Sequence, residues 1–299
     1  MKNFILNRYK NNKRHYRLIF KSSLFLAPSY LGVLIFFVIP FMVVIYYSMI
    51  ENPISGSFVA FENFVKVVGN NAFMKAVRNT AKFSAIAVPL AVVLSLALAV
   101  VLDSRIPLKS QMRTFFLSPM MVPVASIVLI WQVLFHYNGV INEFLQVFGA
   151  DKIDWFKSEH AQIIIILLFL WKNLGYNMIL FMAALGSIPK DLIEVAKLEN
   201  AGNFFIFFSI KLRYLSSTIL FVTIMSLINS FKVFREIYLL TGDYPYDTIY
   251  MLQHFMNNKF KSLDYQMLSA AAILMSIVMV ILVAIMFAVE DRYGRDIEG

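Results

Sequence analysis

The sequence predicts an all-α, polytopic membrane protein with six transmembrane helices, on three observations. Of its 299 residues 60% are hydrophobic and only 15% charged, against about 25% charged in a soluble domain. Its apolar stretches run for 18 residues or more, and a helix needs about 20 to cross the hydrocarbon layer. The stretches are also continuous, whereas barrel strands alternate over about ten residues.

The segments follow in order. The first is uncharged over 22–50. The second covers 83–102 and the third 114–135. The fourth, 161–182, holds one charge, Lys172. The fifth, 214–231, is the shortest, and the sixth covers 267–289. Each is expected to span the bilayer, with tilt taking up differences in length. Pro40, Pro89, Pro119 and Pro123 lie in or near these runs; membrane helices tolerate proline where neighbours satisfy the freed backbone groups.

Charge sets the expected orientation. Residues 1–22 carry seven Lys/Arg and no acid, a cytoplasmic signal under the positive-inside rule. Placing this tail inside puts 103–113, 183–213 and 290–299 inside too, with 16 Lys/Arg against 9 in the outer loops 51–79, 136–160 and 232–266. Both termini are therefore expected in the cytoplasm, and the basic tail on anionic lipid. The net charge of +9 is explained by this bias, so nucleic acid is not an expected partner. The first apolar run is too long for a cleavable signal peptide and has no small-residue cleavage site after it. Lys232 and Arg235, at the outer end of the fifth helix, are expected to be buried in protein or paired with Glu236.

Several chemistries are excluded or unsupported. There is no Cys, hence no disulfide or thiolate chemistry. The four His are scattered singly, so no metal site is expected. No Gly is followed by Lys, which excludes a phosphate-binding P-loop. A membrane enzyme would need a clustered catalytic group, and no His or carboxylate pair lies in an apolar run. A secondary transporter built on an internal repeat finds no repeat here.

One stretch stands apart. Residues 187–214, "SIPKDLIEVAKLENAGNFFIFFSIKLRY", place Lys190, Asp191, Glu194, Lys197 and Glu199 within ten residues of each other. The pattern predicts a two-faced helix over 188–199, capped by Ser187 with Pro189 in its first turn. Ile188, Leu192, Val195, Ala196 and Leu198 form its apolar stripe, and Glu194 lies within reach of both lysines. "ENAGN" (199–203) ends it in a turn. Such a helix either lies in the membrane interface or docks a cytoplasmic partner.

Here a family resemblance enters. "EVAKLENAG" (194–202) resembles the EAA loop of ABC importer permeases, with Glu194, Ala196, Glu199 and Ala201 at pattern positions. Val195 replaces the first Ala, Asn200 the usual Gly, and Arg213 a downstream Pro, while Gly202 follows two positions later. "SLFLAPSYLGVLIFFVIPFMVVIYYSM", "MRTFFLSPMMVPVASIVLIWQVLF", "LWKNLGYNMILFMAALGSIPKDLIEVA" and "FKVFREIYLLTGDYPYDTIYMLQHFMNNKF" are similar in order and spacing to the maltose-type and glycerol-phosphate-type permeases for carbohydrate uptake. The resemblance spans about 23–290 and implies a type I importer fold. The segments become a tail (1–22), a first helix (23–50), an outer loop (51–79), a five-helix permease core (80–290) with its coupling loop near 188–202, and a tail (291–299). It implies a bacterial cytoplasmic membrane, a second similar permease, two copies of a cytoplasmic ATPase that bind ATP and Mg, and an extracellular solute-binding protein. No cofactor is expected in this chain.

On that resemblance 188–199 is the coupling helix, about 15 Å long at 1.5 Å per residue. Lys190, Glu194 and Lys197 would set its register, and Asn200 to Gly202 its turn. For the solute path, "LWKNLGYNM" (170–178) is the polar anomaly within the membrane. Lys172 is costly in hydrocarbon and should face the bundle interior, a cavity or a partner. Trp171, Asn173, Tyr176 and Asn177 add an aromatic plate and hydrogen-bonding groups suited to sugar, and Gly175 permits close helix approach. The alternative is interfacial aromatics with a snorkelling lysine. Ser226, Asn229 and Ser230 could line the same path or bond helix to helix. Asp243, Tyr244, Tyr246 and Asp247 fall, by resemblance, where the solute-binding protein docks; the alternative is a loop packed on its own subunit. A sugar or oligosaccharide is the expected solute. A non-sugar solute and a self-contained transporter are the alternatives.

Overall fold

The computed structural model describes residues 23, 25–104 and 107–294. The basic tail and the end of the C-terminal tail lie outside them. All described regular structure is helical apart from one isolated antiparallel bridge between Ile50 and Phe58.

The chain divides into two compact units. The first comprises residues up to Val67 together with Tyr265–Leu274. Its helix α1 (Phe25–Ser48) is apolar and none of its most hydrophobic window is buried, as suits a helix surrounded by lipid. The end of α1 is closed by a short helix, α2 (Glu62–Val68). Buried Asn63 donates from Nδ2 to the carbonyls of Ser48 (3.0 Å) and Ile50 (2.8 Å), satisfying groups the helix end leaves open.

The second unit holds the remaining elements. Helix α3 (Asn71–Asp103) starts at Asn70, whose side chain accepts from the N–H groups of Ala72 (2.9 Å) and Phe73 (3.2 Å). It continues unbroken through Pro89. Helices α4 (Lys109–Met121), α5 (Val124–Leu134), α6 (Val140–Val147) and α7 (Ala161–Gly186) follow. Then come α8 (Lys190–Leu198), α9 (203–214, with a π-helical middle), α10 (Ser216–Lys232), α11 (Phe234–Thr241), α12 (Leu252–Lys261) and α13 (Tyr265–Gly294). Helix α13 runs from the first unit into the second.

Helices α3 and α7 form the spine. Ala87, Ala91 and Ala99 of α3 are fully buried; small residues let membrane helices approach closely. Phe83, Phe169, Val233 and Ile237 fill one end of the core, and Leu102, Phe181, Leu185 and Leu215 the other. Helix α4 crosses α7 at Gly175, where an added Cβ would sit 1.9 Å from the carbonyl oxygen of Phe116. Only glycine fits this crossing.

Among the described residues five helices are long and apolar enough to span a membrane, and the pair α4–α5 makes a sixth if counted as one. Two sequence expectations change here. The third run is not one helix: α4 and α5 are bent by 100° to each other. Pro123 has no N–H to continue α4 and pushes Val122 into the extended region (ψ 133°). The helical stretch of the fifth span runs past 231 to Thr241, so Lys232 and Arg235 lie on it rather than in a loop beyond it.

Candidate functional site

The polar groups of the core form a seam between α7 and the α10–α11 span. These run antiparallel, so falling numbers on α7 meet rising numbers on α10 and α11. Asn177 donates to Ser226 (2.9 Å), then Asn229 donates to Asn173 (2.9 Å), and Lys172 pairs with Glu236. Asn173 also donates to the carbonyl of Phe169 (2.8 Å), a bond within its own helix. Ser230 turns to α3, where its hydroxyl meets that of Ser84 at 2.8 Å.

At the Lys172 end the seam opens into a cleft of about 440 Å³. Helix α7 contributes Lys172, Asn173 and Tyr176, one face at helical spacing. Asn229, Lys232, Arg235 and Glu236 line the other wall. Glu236 is only 4% exposed. One of its carboxylate oxygens binds Lys172, and the other is buried with no partner among the described residues.

The structure sorts the sequence candidates for a solute path. Lys172, Asn173, Tyr176 and Asn229 share the cleft. Asn177, Ser226 and Ser230 do not line it; they are buried and join helix to helix. Trp171 also lies outside it and packs on Trp131, ring centroids 6.3 Å apart. Lys232 and Arg235 are exposed rather than buried, and Glu236 pairs with Lys172 rather than with either of them. Sequence reasoning missed these three as cleft residues. Their signal was present: a charge at 232 followed about one helical turn later by charges at 235 and 236, directly after an apolar run.

The charged segment 187–202 is built differently. Ser187 does not cap the new helix; its hydroxyl donates to Ala184 (2.8 Å) and closes α7. Pro189 occupies the start of α8. Ile188 is buried in the core and anchors the segment. No residue of α8 itself is buried. Lys190, Glu194 and Lys197 are exposed and Ala196 half-buried. Glu194 forms no ion pair with either lysine among the described residues. Of the expected apolar stripe, Val195 is 54% and Leu198 84% exposed.

The turn after α8 rests on Asn200. Its φ is +60°, and Ala201 N–H donates to Ala196 O (2.9 Å) while Asn200 N–H donates to Lys197 O (3.0 Å). This is a Schellman closure with Asn in the left-handed position usually taken by Gly. Glu199 precedes it as the helix cap, and Gly202 adopts ordinary extended backbone (φ −67°, ψ 156°).

The acids of the outer-loop candidates are bound within the chain. Asp243 accepts from Lys261 (2.6 and 2.9 Å) and from Asn257 (3.2 Å). Lys261 also donates to the Tyr238 hydroxyl (3.0 Å), and its hydrogen bonds to Asp243 first and to Tyr238 second raise its ammonium pKa. Asp247 accepts from Lys75 at 2.8 Å. Tyr244 and Tyr246 remain exposed, Tyr244 at 81%, and line a second cleft with Phe135 and Phe156. Beneath the loop His254 is fully buried against Phe234. Its Nδ1 accepts from Met251 N–H (3.2 Å), and burial lowers its pKa to about 4.

A polytopic helical bundle with a charged cleft among its spans and an unburied charged helix between two of them is the build of a membrane transport subunit. The chain belongs to the binding-protein-dependent transport system inner membrane component family, whose model matches residues 87–298. It is 28% identical to the trehalose/maltose transport system permease protein MalF of Thermococcus litoralis, over 95% of this chain and 98% of that one. It is 31% identical to the sn-glycerol-3-phosphate transport system permease protein UgpA of Salmonella choleraesuis, over 93% and 96%. A solved chain of a bacterial ABC transporter involved in the import of the acidic polysaccharide alginate superposes with a TM-score of 0.80, covering 96% of this chain and 99% of that one at 21% identity. The fold is thus that of a type I ABC importer permease. The protein is a multi-pass permease subunit of a binding-protein-dependent importer, not itself an enzyme.

Proposed function

We propose that this chain forms half of the translocation pathway of an ATP-driven importer for a sugar or sugar-derived solute. The relatives named for trehalose/maltose and for glycerol 3-phosphate support the solute class. In this reading ATP and Mg bind on two copies of a separate cytoplasmic ATPase, and a second, similar permease completes the path. An extracellular solute-binding protein delivers the solute. The termini face the cytoplasm, and 80–290 is the permease core.

The observation that carries the coupling role is α8: a charged helix with no buried residue, held at one end by Ile188 and at the other by the Asn200 turn. A helix fixed at both ends but bare along its length suits a lever seated in a partner's groove. Lys190, Glu194, Lys197 and Glu199 would make the polar contacts. Ala196, Asn200, Ala201 and Gly202 would hold the shape. Lys172, Asn173, Tyr176 and Asn229 would meet the solute, while Asn177, Ser226, Ser230 and Trp171 support that wall from behind. In the outer loop Tyr244 and Tyr246 are the surface offered to the solute-binding protein. Asp243 and Asp247 shape that loop through their lysines.

The test is purification of the chain with its neighbours, followed by transport in proteoliposomes. Co-purification of an ATPase, and uptake that requires ATP and a binding protein, are expected. Isolation as a homomer competent for transport without ATP would overturn the reading.

A further inference from the structure

We propose that the solute passing this cleft is a polyhydroxylated compound bearing an oxyanion, with Lys232 and Arg235 holding the oxyanion and Tyr176 and Asn229 meeting its hydroxyls. The inference rests on the importer role proposed above and names the chemical class of its cargo.

The charge of the cleft points to it. Three cations, Lys172, Lys232 and Arg235, line it against one carboxylate, Glu236. Lys172 is already matched by Glu236. Lys232 and Arg235 are exposed and make no hydrogen bond or ion pair among the described residues. Both lie on the helical stretch Ser216–Thr241, directly after its apolar part. Charges so close to the apolar part of a membrane helix are kept facing a water-filled cavity or a counter-charge. The cleft supplies the cavity; an anionic solute supplies the counter-charge during passage. The planar guanidinium of Arg235 suits carboxylate, phosphate or sulfonate, which share two or more oxygens in a matching plane.

The neutral part of the solute is marked by what the seam leaves open. Glu236 itself is buried, so the groups offered to a solute are those of Tyr176 and Asn229, which line the cleft. The Tyr176 hydroxyl and the Asn229 side-chain oxygen have no partner among the described residues. A phenol hydroxyl and an amide oxygen match the hydroxyls of a sugar-like solute. Lys172 is already neutralised by Glu236 and adds no free positive charge for the oxyanion.

The test uses the assembled importer in proteoliposomes. The solute is recovered from the binding protein that stimulates its ATPase and identified by mass, which separates carboxylate, phosphate and sulfonate. A hydroxylated oxyanion is expected. A neutral sugar would overturn this inference and leave the importer role standing, whereas uptake without ATP would remove the importer role itself. With the labelled solute, the Lys232→Gln/Arg235→Gln double variant should lower uptake at least tenfold, and Lys232→Arg/Arg235→Lys should keep most of it. Equal uptake by wild type and the Gln variant would sink the proposal. So would a Gln variant that loses the second permease while the Arg/Lys variant keeps it, because the two cations would then belong to the subunit interface.

Discussion

Two glutamates on helices of this chain show how burial divides one chemistry into two uses. Glu236 is buried and paired with Lys172 across α7 and α11. Glu194 has lysines within one turn on either side, yet stands exposed on α8 and forms no ion pair among the described residues. In the dry core an unpaired charge is penalised heavily, so the fold brings Lys172 and Glu236 together from 64 residues apart. On the exposed helix water solvates each charge, and the i,i+4 attraction is worth only a few tenths of a kcal/mol. Charges in the core thus specify the packing of this subunit, and charges on α8 are left for something outside it.

The comparison breaks most visibly at Glu236. Glu236→Gln should lower stability by about 2–4 kcal/mol, less than a fully buried pair would lose because Lys172 is 31% exposed. The midpoint of thermal unfolding in detergent reads it. Lys172→Met/Glu236→Leu should lose much less than either single change, since no orphan charge remains. A double variant as unstable as the sum of the singles would end the claim that the two act as a pair.

His254 sharpens the comparison by being a buried titratable group kept neutral instead of paired. Its pKa is about 4 in the fold and about 6.5 unfolded. The unfolded chain therefore binds the extra proton between these values, and stability rises with pH there. The contribution is complete above pH 6.5 and lost as pH falls toward 4. Hydrogen exchange in α12 should accelerate over that window, and His254→Phe should flatten the dependence.

A smaller effect is expected at the end of the exposed helix. Asn200→Ala places a β-carbon in the left-handed region and should cost about 1 kcal/mol, whereas Asn200→Gly should be neutral or slightly stabilising. Helix content and unfolding midpoints distinguish them. The smallest effect on folding belongs to Glu194→Gln/Lys197→Gln, within about 0.5 kcal/mol as for other surface changes. The same variant should cut binding-protein-stimulated ATPase in the complex. Unchanged stimulation would leave α8 without its proposed partner.

Much of this was legible in the sequence because membrane burial is counted residue by residue. The runs at 83–102, 161–182 and 267–289 each fall within a helix of the structure. Lys172 was conspicuous because a lone charge in such a run must find a partner. The bend at Pro123 carried a visible signal, a proline with an extended residue before it, but hydropathy does not register bends. The fifth run reads as ending at 231 because Lys232 and Arg235 look like an interface, and hydropathy does not register that the helix continues to Thr241. Ser226, Ser230 and Asn177 were polar and in the right helices, but only the helix crossings show that they face α3 and each other.

The sequence by itself determined the class, the apolar runs and the charged helix between two of them, since each follows from local composition and period. Tertiary structure alone decided that Lys172 meets Glu236, that Gly175 admits the backbone of Phe116, and that Lys232 and Arg235 open onto a cleft. Such pairings depend on the register and crossing angle of helices far apart in the chain. Those are set by how Ala87, Ala91, Gly175 and their neighbours let the helices approach, not by any one segment.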